Sequence, residues 1–227
     1  MKINATVQKL IAELLGTTLI AISFTAAVAS TKAVPQFAIG ITVALAILVT
    51  VNISGAHLNP LISLYFFSKK TLTGALFAGF IGAQVIGAVC GAVIGRAMWG
   101  AALSLPEVGT VPEFPLLISE WVFTGGLIFL VGYLIFQKRA QLLGIVIPVW
   151  VIAGIGFTPT GAQGNPAVSI ALMFAGEQDL QTVAWFVVAQ AAGMLTGLIG
   201  LAVFTAKPSK PAKKVAAAKA SNRTKKA

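Results

Sequence analysis

The chain has 227 residues, of which 57% are hydrophobic and only 10% are charged. Soluble domains are about 45–50% apolar and roughly 25% charged, so this composition excludes a soluble globular domain and a disordered chain. The net charge is +10, but half of the Lys and Arg residues lie in residues 206–227, which contain no acid. With one Cys and one His, the chain cannot form a disulfide framework or a Cys/His zinc cluster.

Uncharged stretches indicate how the chain crosses a membrane, since a helical span needs roughly 20 apolar residues. Residues 33–68 and 140–176 carry no charged side chain. Each stretch is too long for one span and too short for two, so each fits one span followed by a segment that enters half of the membrane. The sequence predicts six spans and two half-spans, in chain order 8–29, 36–53, 59–67 (half), 73–95, 116–137, 140–157, 165–174 (half) and 181–204.

Basic residues predict the orientation, because cytoplasmic loops are enriched in Lys and Arg. With six spans, one side receives most of them: Lys2, Lys9, Lys69, Lys70, Lys138, Arg139 and the tail. The other side receives only Lys32 and Arg96. We therefore predict a multi-pass protein of the plasma membrane with both termini cytoplasmic. Residues 206–227 are predicted to be a disordered cytoplasmic tail, for which contact with anionic lipids is favoured over nucleic-acid binding.

The sequence also repeats itself at an offset of 106–107 residues. Three blocks match: AE at 12–13 with SE at 119–120, SGAHLNP at 54–60 with TGAQGNP at 160–166, and AQ at 83–84 with AQ at 189–190. Each repeat, about 8–100 and 115–205, contains three predicted spans. Because three is odd, the halves cross the membrane in opposite directions. An inverted repeat of this kind places the functional site near the bilayer midplane, between the halves.

Each half-span begins with an Asn-Pro pair, Asn59-Pro60 and Asn165-Pro166. Asn is a favoured N-cap and Pro a favoured first helical residue, so each pair predicts a helix that starts inside the membrane. The two N-termini then point at each other, and their dipoles repel cations. Each Asn carboxamide can also donate a hydrogen bond to a passing oxygen. The approaches to these helices are predicted to line a pore with backbone carbonyls, those of Gly55, Ala56, His57, Gly161 and Gln163.

At these residues the sequence resembles the aquaporin and glycerol-facilitator family, the major intrinsic proteins. The resemblance covers about residues 8–204 and rests on two boxes, here Asn59-Pro60-Leu61 and Asn165-Pro166-Ala167. It implies an all-α membrane protein, residues 1–205, with six transmembrane helices and two re-entrant half-helices in an inverted repeat. It also implies a homotetramer with one pore in each subunit. Glu13 and Glu120 would then be structural residues that accept backbone N–H groups of the re-entrant loops.

The sequence departs from the family pattern where selectivity is determined. Leu61 replaces the usual Ala of the first box and is expected to narrow or reshape the midplane constriction. An Arg normally follows the second box, but this chain has Val168. Counting back from the Asn residues places the other filter positions at Ile39, Ala153 and Ala162. The filter is therefore expected to be apolar and wide.

The leading hypothesis is a passive channel for water or small uncharged solutes, with membrane lipids as its other partners. No phosphate loop, nucleophile motif or metal spacing appears, so we expect no enzyme, cofactor or metal site. Two alternatives stay open: a facilitator of glycerol, urea or ammonia with little water flux, and a secondary transporter. A proton-coupled transporter would use Glu13 and Glu120 as relays. We favour the channel because the midplane residues are Asn, Pro, Leu and Ala.

Overall fold

The computed structural model describes residues 3–30 and 34–207. All regular secondary structure in these residues is helical. The eight α-helices are α1 (Ala5–Ala29), α2 (Pro35–Thr50), α3 (Pro60–Ser68), α4 (Gly74–Ala97), α5 (Phe114–Phe136), α6 (Leu143–Phe157), α7 (Pro166–Phe174) and α8 (Leu180–Thr205). A 3-10 turn, Ala140–Leu142, precedes α6. Beyond Lys207 the predicted tail lies outside the described residues, as do Lys2 and Lys32.

Six of these helices correspond to the predicted spans, and the short helices α3 and α7 correspond to the half-spans. Five segments are long and apolar enough to cross a membrane: α1, α4, α5, α8 and Ala140–Phe157. Helix α2 is shorter, with 16 residues. Its helical hydrogen bonding continues, however, from Ser54 N to Thr50 O at 2.9 Å and from Gly55 N to Val51 O at 3.1 Å. The all-α membrane fold predicted from the sequence is therefore confirmed.

The two repeats pack as equivalent halves around the half-helices. Helix α1 lies along α4, α5 lies along α8, and α2 of the first repeat meets α6 of the second. Helix α7 packs against α1 and α4 through small side chains, namely Ala21, Ala88, Ala92, Ala167 and Ala171. We call the membrane side on which α1 begins and α8 ends the terminal side, and the other the distal side. Helix α3 runs from the centre to the terminal side, and α7 runs from the centre to the distal side.

Glycines at four-residue spacing allow the long helix pairs to approach closely. A Cβ atom added at Gly87 in α4 would lie 2.6 Å from Leu14 O in α1. In the second repeat, a Cβ added at Gly197 in α8 would lie 2.5 Å from Gly125 O in α5. Any larger side chain would force the backbones apart. Small residues at such interfaces are how membrane helices gain packing contacts without a hydrophobic driving force between them.

We predict that Gly91→Ala destabilises the fold and that Gly82→Ala, on the same helix, does not. A Cβ at residue 91 would meet the Ala21 side chain and lie 2.8 Å from Thr18 O, whereas nothing lies within 4 Å of a Cβ at residue 82. Overpacking costs roughly 1–3 kcal/mol, while Ala in place of an unhindered helical Gly gains about 0.5–1 kcal/mol. Thermal unfolding in detergent, followed by Trp fluorescence, measures the difference. Equal melting temperatures would contradict the close packing of α1 on α4.

Candidate functional site

Each half-helix is capped by the Asn that precedes it. Asn59 Oδ1 accepts a hydrogen bond from Leu61 N at 2.8 Å, and Asn165 Oδ1 accepts one from Ala167 N at 3.0 Å. The Pro after each Asn occupies the first helical position, where a missing N–H costs nothing. Because Oδ1 of each Asn is occupied by its cap, the Nδ2 of each carboxamide points away from its own helix and can donate elsewhere.

The two Asn side chains also bind the opposite repeat. Asn59 Nδ2 donates to Gly164 O at 2.9 Å, and Asn165 Nδ2 donates to Leu58 O at 2.9 Å. Each accepting carbonyl belongs to the residue directly before the other Asn. These reciprocal bonds fix the N-termini of α3 and α7 against each other. Because an amide nitrogen carries two hydrogens, each Asn keeps one N–H for a further acceptor.

Glu13 and Glu120 hold the loops that lead to the two Asn residues. Glu13 accepts the backbone N–H groups of residues 57–58 at 3.0 and 2.6 Å. Glu120 accepts those of residues 163–164 at 3.3 and 2.9 Å. Both carboxylates are fully buried. They supply acceptors to backbone donors that water does not reach at this depth, which favours a structural role over a proton relay.

Two glutamines complete these sites, and the sequence analysis assigned them no role. Gln84 Nε2 donates to Glu13 Oε2 at 2.8 Å, and Gln190 Nε2 donates to Glu120 Oε2 at 2.7 Å. Both side chains are fully buried. The signal was present in the repeat, because AQ at 83–84 matches AQ at 189–190. A buried polar residue kept at one offset in both halves indicates that both halves need it.

A cavity of about 280 Å³ reaches the Asn pair from the terminal side. It extends to Ile135, near the terminal end of α5, and to Ala140, in the 3-10 turn that precedes α6. A single water needs only roughly 10–15 Å³ of such volume, so larger solutes fit. Most of the lining is aliphatic or aromatic, and its polar side chains are His57, Asn59, Gln163 and Asn165. In residues 3–30 and 34–207, no cluster of His, Cys, Asp and Glu side chains is placed to hold a metal ion.

The box residues do not all face this cavity. Leu61 does not line it, which corrects the expectation that its size shapes the midplane constriction. Successive helical residues differ by about 100° in direction, so the cavity face of α3 carries Ile62 and Phe66 instead. Leu61 belongs to the main apolar cluster. Of the predicted carbonyl positions, Gly161 also lies off the cavity, whereas those at residues 55–57 and 163 line it.

Three predicted filter positions lie at or beyond the distal end of the cavity. Val168 lines the cavity and is 1% exposed. Ile39 lies on the same face of α2 as the cavity residue Val43, one turn further on, and is 4% exposed. Ala162 is fully buried. The distal end of the cavity is therefore lined by buried apolar side chains.

The structure contradicts the assignment of Ala153. This residue is exposed and lies on the side of α6 opposite to the cavity residues Ile147 and Val151. Its neighbour Gly154 faces the re-entrant loop, because a Cβ added there would lie 2.7 Å from Ala162 Cβ. Counting back along the sequence therefore selected a residue on the wrong face of α6, because each successive residue turns the side chain by about 100°.

The structure also brings two aromatic side chains to the cavity that the sequence analysis did not single out. Phe24 in α1 and Phe123 in α5 both line it and are 6% and 0% exposed. The Phe123 ring stacks on Trp150, with centroids 5.6 Å apart. Trp150 Nε1 in turn donates to Phe123 O at 3.1 Å. The stacking on Trp150 of α6 shows that Phe123 faces inward, whereas the sequence does not distinguish it from the other apolar residues of α5.

The family described as Major intrinsic protein matches residues 1–158. The chain belongs to the major intrinsic protein family. The matched range ends before the second Asn-Pro box. The equivalence of the second box to the first therefore rests on the structure, in which Asn59 and Asn165 make reciprocal hydrogen bonds.

Several relatives share much of the sequence. Aquaporin NIP1-3 of Oryza sativa subsp. japonica is 34% identical over 180 residues, covering 72% of this chain and 62% of that protein. Aquaporin NIP3-1 of Arabidopsis thaliana is 32% identical over 215 residues, covering 84% and 65%. The chain thus spans just under two thirds of the length of these relatives. The solved aquaglyceroporin from Plasmodium falciparum superposes with a TM-score of 0.70 over 88% of this chain and 95% of that chain, at 18% identity, so the fold is shared.

We predict that Glu120→Gln in this major intrinsic protein lowers stability without changing which solutes pass. The amide keeps one acceptor oxygen but presents an NH₂ group where residues 163–164 and Gln190 now donate. Losing one hydrogen bond to a charged group costs roughly 1.5–3 kcal/mol. Thermal unfolding in detergent checks this, with the exposed Glu113→Gln as the matched control. Wild-type stability combined with an altered solute preference would instead indicate a pore-lining carboxylate.

Proposed function

We propose that this protein is a passive transmembrane channel for water and small uncharged solutes. The observation that carries the proposal is the reciprocal bonding of Asn59 and Asn165 to the opposite loops. Both residues line the cavity, and each keeps one amide N–H. Two donors fixed at the midplane offer a passing hydroxyl, carbonyl or water oxygen a replacement for lost hydration.

The electrostatics of the site favour a channel over a coupled transporter. Two helix N-termini meet at the midplane, each equivalent to roughly half a positive charge, which raises the barrier for cations and protons. The described cavity lining contains no Asp, Glu, Lys or Arg. A coupled carrier needs an ionisable group near its substrate, and Glu13 and Glu120 are instead engaged by backbone N–H groups.

The apolar distal end supports passage of solutes less polar than water. An Arg at position 168 would supply a fixed charge and five donors, and Val168 removes them. Ile39 and Ala162 add no polar group to replace them. Dehydrating water at such a place is costly, whereas ammonia and small monohydric alcohols form weaker or fewer hydrogen bonds with water and lose less on entering an apolar passage. We therefore infer modest water flux and comparatively good flux of these neutral solutes.

We further propose that the protein is a homotetramer of the plasma membrane with cytoplasmic termini. The terminal side holds most of the described basic residues, namely Lys9, Lys69, Lys70, Lys138, Arg139 and Lys207. On the distal side, Arg96 pairs with Glu177 at 3.8 Å. Apolar side chains on the outer face of α2, such as Ile41 and Leu48, are 58% and 57% exposed. They fit contacts with lipid or a neighbouring subunit.

Reconstitution in liposomes tests the channel. Stopped-flow light scattering measures water, glycerol, urea and ammonia flux against protein-free liposomes. A passive channel gives flux proportional to the solute gradient and unchanged by imposed proton or sodium gradients. Uphill accumulation driven by a pH gradient would overturn the proposal and establish a transporter.

Val168→Arg tests the filter assignment. We expect it to reduce glycerol and urea permeability at least tenfold relative to water, which corresponds to about 1.4 kcal/mol in barrier height. Arg narrows the path but offers water new hydrogen bonds. Val168→Leu is the matched control, because it adds bulk without donors and should slow water and solutes alike. If Val168→Arg abolished water flux and left the other permeabilities intact, position 168 would not be the filter.

A further inference from the structure

The side-chain amide nitrogen of Gln163 has no hydrogen-bond acceptor among residues 3–30 and 34–207. Its side chain lines the cavity and is 4% exposed. Its Oε1 accepts a hydrogen bond from Ser169 Oγ at 2.6 Å. Within the described residues, Nε2 has no hydrogen-bond partner. It is nevertheless not a buried unpaired atom, so it is accessible to a molecule the size of water. Nε2 therefore lies on the cavity surface.

A chain of hydrogen bonds fixes which end of the Gln163 carboxamide faces the cavity. Glu120 accepts on both oxygens, so Gln190 must approach it with Nε2. The second hydrogen of that nitrogen goes to Ser169 Oγ at 3.2 Å. Ser169 is then an acceptor toward Gln190 and donates its own hydrogen to Gln163. The acceptor end of Gln163 is thereby held at Ser169, and its two N–H donors are left for the cavity.

The first repeat contains the same series of hydrogen bonds, which ends at His57 instead of Gln. Gln84 Nε2 donates to Glu13 Oε2 at 2.8 Å and to Ser63 Oγ at 2.9 Å. Ser63 Oγ lies 3.2 Å from His57 Nδ1. With Gln84 donating, Ser63 donates to Nδ1, which leaves the hydrogen of the neutral imidazole on Nε2. His57 and Gln163 are equivalent in the repeat, and both present an N–H to the cavity.

We propose that Gln163 is a specificity-determining residue that supplies, beside Asn165, the hydrogen-bond donor that Val168 lacks. Gln163, Asn165 and Val168 all line the cavity, and they lie within one six-residue stretch of the chain. Gln163 selects uncharged solutes with hydroxyl or carbonyl oxygens, because it donates without adding charge. This inference rests on the proposed channel function.

Two substitutions at one position test the proposal. Gln163→Met keeps an unbranched side chain of similar length but has no donor. It should lower glycerol and urea permeability about tenfold per folded channel. Gln163→His copies the first repeat, with Ser169 donating to Nδ1 and Nε2–H facing the cavity. It should keep permeability within about twofold of the wild type. A purely structural role would not give rescue by His together with loss by Met.

The controls separate the proposal from misfolding and from failure of the channel hypothesis. Gln137→Met, at the exposed end of α5, should leave flux unchanged. If Gln163→Met does not fold, Ser169→Ala releases the carboxamide instead and should lower glycerol flux severalfold at unchanged urea-to-glycerol ratio. Wild-type flux in Gln163→Met, or an equal loss in Gln163→His, would overturn the role of Gln163. Absence of flux in the wild type would reject the proposed channel itself, whatever the variants do.

Discussion

Backbone N–H groups at the membrane midplane have no water to bind, and the rest of the structure depends on how this chain satisfies them. An unpaired polar group costs several kcal/mol there. The loops at 55–58 and 161–164 cannot be helical, because they adopt left-handed backbone at equivalent positions, including Ala56 and Ala162 with φ near +51° and +55°. Glu13 and Glu120 each accept two N–H groups from these loops and so stabilise a conformation that the loops would not hold alone.

The two loops fit against their helices by opposite means. In the first repeat Leu58 is large and the facing helix has Gly16, where an added Cβ would lie 2.5 Å from Leu58 Cδ2. In the second repeat the loop has Gly164, and the facing helix has Phe123, whose ring would lie 2.5 Å from a Cβ at 164. Each repeat thus pairs one large side chain with one glycine, with the large residue in the loop in the first repeat and in the helix in the second. Leu58 therefore holds a positive φ of 49° that Gly164, at 53°, adopts without strain.

The sequence was sufficient to predict the fold and the paired helix starts because both depend on local signals. Span length follows from uncharged stretches, and an Asn-Pro pair such as Asn59-Pro60 before an apolar run favours a helix start. The sequence did not predict which side chains of a helix face the cavity, as Ala153 and Leu61 show, because successive residues point about 100° apart. It also gave no donor role to Gln163, because that role follows from a hydrogen-bond chain whose members are far apart in sequence.

The same chain of bonds explains why this cavity is asymmetric despite a symmetric backbone. Both repeats use Glu, Gln and Ser to orient one side chain before each Asn, and only the last residue differs, His57 or Gln163. His57 is wedged against Phe66 with ring centroids 4.5 Å apart, so its position is set by aromatic packing as well as by Ser63. Among the described residues, the side-chain hydrogen bond that orients Gln163 comes from Ser169. Aromatic packing restrains His57, whereas a hydrogen bond from Ser169 orients Gln163. Gln163 is therefore the donor whose position can adjust more readily to a solute. It stands where the apolar distal end begins, which is where a solute must exchange water for protein.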